Sequence, residues 1–467
     1  MPKIILGPVV GRVTDSAARI LIETDKPGEI GVRVVPVGAG ASRTLRLTPA
    51  PGKAFVFDID NLRPNDRYAV HFEAENGDER RAQVHTLGGP VLRAAGVSCH
   101  DASSKPSVDL WAGIADLTMR GNIDVIFHMG DQIYADQVFD AGVRALRVLP
   151  RSAWPQREAA IREEYRKLYR TTWNRAPVQQ ALAQASNLMI WDDHDVADDF
   201  GDRADVTQPH SAEHFVASCG WRVFHEYQRQ LWDHGAERVP VGAEEGFWCR
   251  WGPIAALFLD VRGSRGFRAF DREQPEVPQP FLSPAQWARI RQVLIPRGGP
   301  LDEVRILLVV SSVPVVYASK DTTEDLVLRR KLDDVRGHWA YKGYAAEQHR
   351  LLSALRNWKE AATTREVVLL GGDVHMGSKM EISYATSRGP RTMPQIIASP
   401  VYREPEAAWK LALLAPYLTH PSEPRHTQPP DFSWHARKVI REPNYALIEL
   451  DASRVPAAVS TRLITQV

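Results

Sequence analysis

The stretch IDVIFHMGDQIYAD, residues 123–136, passes from an apolar run straight into a glycine and a cluster of carboxylate, amide and phenol groups. A short apolar run of this kind reads as a buried strand, and the polar cluster marks where the strand ends. The pattern recurs three times. VLRAAGVSC leads to Ser98-Cys99-His100-Asp101, LMIWDD continues into Trp191-Asp192-Asp193-His194-Asp195, and VVLLGGD into Gly371-Gly372-Asp373-Val374-His375. Further buried strands are expected at IAALFLDV (254–261), RILLVVSS (305–312), QIIASP and YALIEL.

Helical segments alternate with these strands. They begin at Pro155 (PQREAAIREEYRKLYR) and Ala176 (APVQQALAQA), run from about Ser211 to Trp232, and return near 347–361. SPAQWARIRQVL opens with Ser283 as N-cap and Pro284 at the first helical position. Buried strands alternating with helices imply an α/β core with helices on its outer faces. The charged run 157–170 reads as an amphipathic helix with a solvated face.

The first 88 residues have another texture. About seven short β-branched runs are separated by turns such as KPGE, NLRPND and NGDE, the spacing of a β-sandwich. Within it Leu62-x-Pro64-x-x-x-Tyr68 resembles the tyrosine corner of fibronectin type III modules. Gly88-Gly89-Pro90 ends this region. The expected domains are therefore a fibronectin III-like sandwich over 1–88 and a catalytic α/β domain over 89–467. The Pro-rich stretch 400–435 reads as an ordered excursion or lid.

Composition narrows the functional classes. Across 467 residues, 58 Lys+Arg balance 57 Asp+Glu, which leaves no basic stripe for nucleic acid. The most apolar run, 306–316, is far below the roughly 18 residues a membrane span needs. Cys99, Cys219 and Cys249 are odd in number and form no CxxC motif, so a disulfide framework is not expected. With no signal segment recognised at the start, a cytoplasmic location is expected. Cys219 lies at helical spacing from Val216, Val223 and Tyr227, and with Cys249 is assigned to packing. His128, inside an apolar strand, is assigned to core hydrogen bonding.

In an α/β sheet the carboxyl ends of the strands face one crevice, so the four clusters can converge. Acids gathered in a dry place raise one another's pKa, and metal cations remove that cost. Carboxylate, imidazole, phenol and thiol together suit a ferric ion with a second, carboxylate-held divalent ion. For Cys99 a buried packing thiol is the ordinary alternative. DDHDVADDFGD is not an EF-hand loop, because the sixth position from Asp193 is Asp198 rather than glycine. Glycine before the aspartates is expected to let backbone approach a metal closely.

These motifs, in order, resemble the metallophosphatases of the alkaline phosphatase D (PhoD) type: Ser98-Cys99, GDQIYAD (130–136), WDDHD (191–195), LDVR (259–262), HWAYKGYAAEQHRLL (338–352) and GGDVH (371–375). The resemblance covers about 89 to 400. It implies a metallophosphatase-like αββα sandwich, two mixed sheets between helical layers, preceded by the small all-β sandwich. By carry-over, Cys99 binds the first metal, Asp131 bridges two metals, and Tyr134 binds a ferric one. Asp193 replaces the asparagine of the superfamily's Asn-His-Glu motif. His194 meets the scissile phosphate or leaving group, Asp373 and His375 take the Gly-His-x-His position, and Arg262 reaches the phosphate. The superfamily's isolated ligand histidine has no counterpart in VVSSVPVV, which favours an oxygen-rich second site such as calcium. Asp101 ranks above His100 as an added ligand, and Trp339 is a candidate for the cleft wall.

The expected reaction is hydrolysis of a small-molecule phosphomonoester or phosphodiester, with metal-activated hydroxide attacking phosphorus in line. Two other readings stand beside it: a dinuclear hydrolase for another ester or anhydride, and a non-catalytic binding protein with a decayed site. No nucleophile elbow or Walker loop is present.

Overall fold

The computed structural model describes residues 1–203, 205–233, 240–267, 280–318, 337–405 and 431–466. Of the Pro-rich stretch, 406–430 lies outside them.

The N-terminal region folds as β1 (Ile4–Val13), β2 (Ala18–Thr24), β3 (Ile30–Pro36), β4 (Arg43–Leu47), β5 (Phe55–Ile59), β6 (Arg67–Ala74) and β7 (Glu79–His85). They form two antiparallel sheets, β1-β2-β5 and β4-β3-β6-β7. Period-2 alternation buries Ile30, Val32 and Val34 of β3 and Tyr68, Val70, Phe72 and Ala74 of β6. The Tyr68 hydroxyl accepts from Arg63 N at 2.8 Å, five residues upstream, beside the buried Leu62. Tyr68→Phe is expected to cost about 1–2 kcal/mol, because Arg63 N–H loses its acceptor without loss of ring packing. Chemical denaturation of the two proteins would measure it.

β1 is buried along nearly its whole length because it also docks on the larger unit. Asn187 Nδ2 donates to Val10 O at 2.9 Å, and Trp251 Nε1 to Val13 O at 3.0 Å. The run 157–170 differs from expectation. Its helix, Glu158–Trp173, does not simply present a solvated charged face. Arg170 reaches the fully buried Glu23 of β2 at 2.6 Å, Tyr227 donates to the same carboxylate at 2.8 Å, and Arg162 and Arg166 clasp Glu226. These charges face partners that periodicity cannot reveal.

The larger unit contains two mixed sheets. One joins β8 (Val91–Val97), β9 (Val125–Met129) and β10 (Ser186–Ile190), all parallel, with β18 (Tyr445–Asp451) and β19 (Ala458–Ile464) added antiparallel. The other runs β11-β12-β13-β14-β16-β15-β17. Its members are Phe247–Trp251, Ile254–Leu259, Ile306–Ser311, Glu366–Gly371, Gly377–Thr386 (β15), Gly389–Ile397 (β16) and Ser433–Ile440 (β17). Alternate residues of β12, β13 and β14 enter different cores. Ile254, Ala256, Phe258, Leu308 and Leu370 pack in the core that also holds the first sheet, whereas Leu257, Leu307, Val309 and Leu369 pack with Trp287, Leu351 and Leu355 of helices Pro284–Val293 and Ala345–Glu360. Burial on both faces is why these strands read as unbroken apolar runs.

The helix expected over 211–232 is Ala212–Tyr227, with Ser211 Oγ accepting from His214 N, followed by a separate turn at Arg229–Leu231. Cys219 and Cys249 lie in the core. His128 is buried between Gln132 and Asn187. Trp339 is fully enclosed against Phe281 rather than lining a cleft.

Candidate metal centre

The ends of β8, β9, β10 and β14 meet where the two sheets come together. Cys99 N and His100 N donate to Gly130 O and Asp131 O, and Gly372 N donates to Ser312 O. The glycines serve this approach of loop on loop. A Cβ on Gly130 would stand 2.4 Å from Asp192 Cβ, and one on Gly372 would stand 2.5 Å from Ser98 Cβ. Cys99, Asp131, Asp373 and His375 all adopt positive φ, between 49° and 65°. L-residues reach that region at a cost, and the surrounding loops hold them there.

Cys99 Sγ and the Tyr134 hydroxyl each lie 3.3 Å from Asp131 Oδ2, and Tyr134 is also 3.3 Å from His375 Nε2. Three groups of donors, each with ligand atoms within 4.8 Å of one another, share Asp131: Cys99/Asp131/His375, Asp131/Asp193/His194, and Asp131/Asp192/Asp193/Asp373. Among the described residues, Asp131 Oδ1 and Asp192 Oδ2 are enclosed and accept no hydrogen bond, and Asp193 Oδ1 has only the Arg262 guanidinium at 3.5 Å. Buried carboxylate oxygens without partners are costly, and cations would meet that need. The residues present therefore fit a metal centre.

Electrostatics agree. Burial pushes the Asp131 carboxyl well above the usual range; His194 opposes this, while Asp193, Asp192 and Asp373 add to it. Burial likewise carries Asp192 up to about 7 despite Arg262. Cys99 and Tyr134 are both raised, first by burial and then by nearby negative charge. Without cations the cluster retains protons, and metal binding would displace them. Asp373 goes the other way: burial opposes its ionisation, but His338, Arg262 and His375 outweigh that.

His194 stacks on Tyr134 at 4.3 Å, and its Nδ1 lies 3.0 Å from both oxygens of Asp136. Burial lowers its pKa, but Asp193, Asp136 and Asp131 raise it well above that of a free imidazole. Arg262 is placed beneath the carboxylates and is 3% exposed. Its Nε binds Asp192, and Nη2 lies 3.5 Å from Asp193 and 3.7 Å from Asp373.

His100 and Asp101 are not brought into the three donor groups. His100 Nε2 meets Arg175 at 3.0 Å, and Asp101 Oδ1 accepts from Ser103 N and Oγ. Sequence reasoning missed Asp192, whose signal was its place in WDDHD, and His338, whose Nε2 lies 2.6 Å from Asp373 Oδ2. His338 opens the HWAYKGY segment quoted above, but a lone histidine after a long irregular stretch has no pattern of its own. Asp195 was also missed. It accepts from Asp131 N, Asp192 N, Gln132 N and Gln228 Nε2 at 2.8–3.1 Å and so ties two ligand loops together.

The model of the PhoD-like phosphatases matches residues 94–438, well over half of the chain. The chain belongs to the PhoD-like phosphatase family. The match runs into β17, beyond the limit near 400 that the motifs alone indicated. A solved structure of PhoD, 13% identical, superposes with a TM-score of 0.67, covering 99% of this chain and 92% of that chain, so the fold is shared. GAP50, described as the anchor in the inner membrane complex of Plasmodium, reaches a TM-score of only 0.35 at 9% identity over 81% of this chain and 85% of that one. No curated protein matches the chain. Membership of the PhoD-like family makes this chain a phosphoesterase by family, and among the described residues no helix is long and apolar enough to cross a membrane.

Proposed function

We propose that this PhoD-like protein is a metal-dependent phosphoesterase acting on small phosphomonoesters, phosphodiesters or both at a site for two or more cations. One observation carries the reading: three donor groups share Asp131, and among the described residues nothing donates a hydrogen bond to the buried Asp131 Oδ1 and Asp192 Oδ2 within them. Cys99, Tyr134, His375 and Asp131 form a mixed set suited to ferric iron, whereas Asp131, Asp192, Asp193 and Asp373 offer oxygens suited to calcium or another divalent ion. When bound, such cations supply an acidified water and Lewis-acid stabilisation of phosphoryl oxygens.

The protein's own groups do the rest. Asp136 holds the Nδ1 proton of His194 and fixes its ring against Tyr134. The opposite nitrogen, kept off the metals in this reading, then serves as the proton donor to the leaving oxygen. Of the acids that keep His194 protonated, Asp136 stands outside the metal-donor groups, so its effect persists when cations neutralise Asp131 and Asp193. Arg262 lowers the repulsion among Asp192, Asp193 and Asp373. Three free, buried thiols accord with a reducing, cytoplasmic setting.

Metal analysis of the purified protein, with chromogenic mono- and diesters as substrates, tests this. At least one equivalent of transition metal and a visible phenolate- or thiolate-to-metal band are expected. Chelation should abolish hydrolysis and metal return should restore it. Ester hydrolysis at an undiminished rate by fully metal-free protein would overturn the reading.

A further inference from the structure

Arg262, the arginine that the LDVR motif brings to the site, has its guanidinium occupied. Asp192 takes Nε, Phe200 O takes Nη1 at 3.3 Å, and Asp193 and Asp373 flank Nη2. At 3% exposure it has little surface to offer a substrate. A phosphoryl group carrying negative charge needs another cation.

Arg403 supplies one. The chain leaves β16 and runs beside the Cys99 turn, where hydrogen bonds along the backbone fix it. Val401 N donates to Ser98 O at 2.8 Å, Asp101 N to Tyr402 O at 2.9 Å, and Glu404 N to Ser104 Oγ at 2.9 Å. From this strap the Arg403 guanidinium lies 5.0 Å over the Tyr134 ring, with Nη1 3.3 Å from His375 Nε2. Among the described residues no carboxylate stands within the 4.0 Å of an ion pair to it. It is therefore a half-buried cation in the site that no carboxylate of the described residues pairs with.

Its position beside His375, a residue of one donor group, makes this consequential. His375 Nε2 cannot serve a metal ion and an approaching guanidinium together without strong repulsion. The strap limits how far Arg403 can retreat. An anion lying between the two positive groups resolves the conflict, and the planar guanidinium fork matches two phosphoryl oxygens.

We propose that Arg403 is the side chain that grips the phosphoryl group of the substrate, and of product phosphate, across from the Cys99/Tyr134/His375 cluster. The proposal rests on the phosphoesterase reading above and adds the residue that sets phosphate affinity.

The test uses the metal-loaded protein, inorganic phosphate and a chromogenic phosphomonoester. Arg403→Gln should raise the phosphate Kd, measured by calorimetry, and the KM each at least tenfold, with metal content and Tm unchanged. Arg403→Lys keeps charge without the fork and should fall between, at threefold or more. A phosphate Kd within twofold of the parent in Arg403→Gln overturns the proposal. So does loss of metal with unchanged phosphate affinity per loaded site, which would make Arg403 part of the metal's support. If Arg403→Gln cannot be loaded at all, Arg403→Lys decides, and an unchanged Kd there overturns it. Arg403-dependent phosphate binding by a protein that hydrolyses no ester would sink the phosphoesterase reading while leaving this inference standing.

Discussion

Asp131→Asn is expected to lower ester hydrolysis by on the order of 10³ and to strip metal, while leaving the metal-free fold at least as stable as the parent. Asp131 is the residue shared by all three donor groups, so its charge is needed by every cation the site could hold. The amide is isosteric, so the contacts to Cys99 and Tyr134 are not sterically disturbed. In the metal-free protein that charge is a liability. Burial raises the Asp131 pKa far above the unfolded value near 4, so the native state binds the extra proton. A native state holding more protons than the unfolded one loses stability as pH rises. Metal-free parent protein should therefore weaken from about pH 4 upward, with Asp192 adding its share until about 7. Asp131→Asn should flatten that slope. Thermal melts of metal-free protein across this pH range, with metal analysis and rates for the loaded forms, check both halves. A variant that retains metal and rate would refute the bridging role.

Asp195→Ala should show the opposite balance, a loss of about 4 kcal/mol in stability. Each buried donor left without its acceptor costs about 1–3 kcal/mol, and four depend on this carboxylate. It contributes no atom to the three donor groups, yet it clamps the backbone of Asp131 and Asp192. Activity and metal affinity should fall with it, because the loops that carry the ligands lose their common anchor. Denaturant midpoints for Asp195→Ala beside those for Asp131→Asn separate scaffold from ligand within one short motif. Equal stabilities would contradict the clamp.

Much of this protein could be read locally. Apolar runs ending in carboxylates identified the strands of the parallel sheets, because a strand buried on both faces leaves no polar residue until it emerges. Tyr68 and Leu62 announced the N-terminal corner through fixed spacing, and the corner's hydrogen bond spans only five residues. Cys99, Asp131, Tyr134, Asp193, His194, Asp373 and His375 lie in polar clusters within a few residues of strand ends, and the resemblance to the PhoD type singled them out from their neighbours.

The remainder depended on contacts between distant segments. The charged helix at 158–173 looked solvated until β2 and the helix after Ser211 supplied Glu23 and Glu226. Gly130 and Gly372 owe their role to Asp192 and Ser98, residues far away in the chain. His338 and Arg403 lie in irregular backbone, where no periodicity marks a side chain, and only the folded turn shows what each meets. Sequence alone determined the strand ends and the types of donor placed there, because those are short-range properties of the chain. Tertiary structure decided which donors share Asp131, that Arg262 serves the carboxylates, and that no acid among the described residues pairs with Arg403, because each depends on distances between groups tens to hundreds of residues apart.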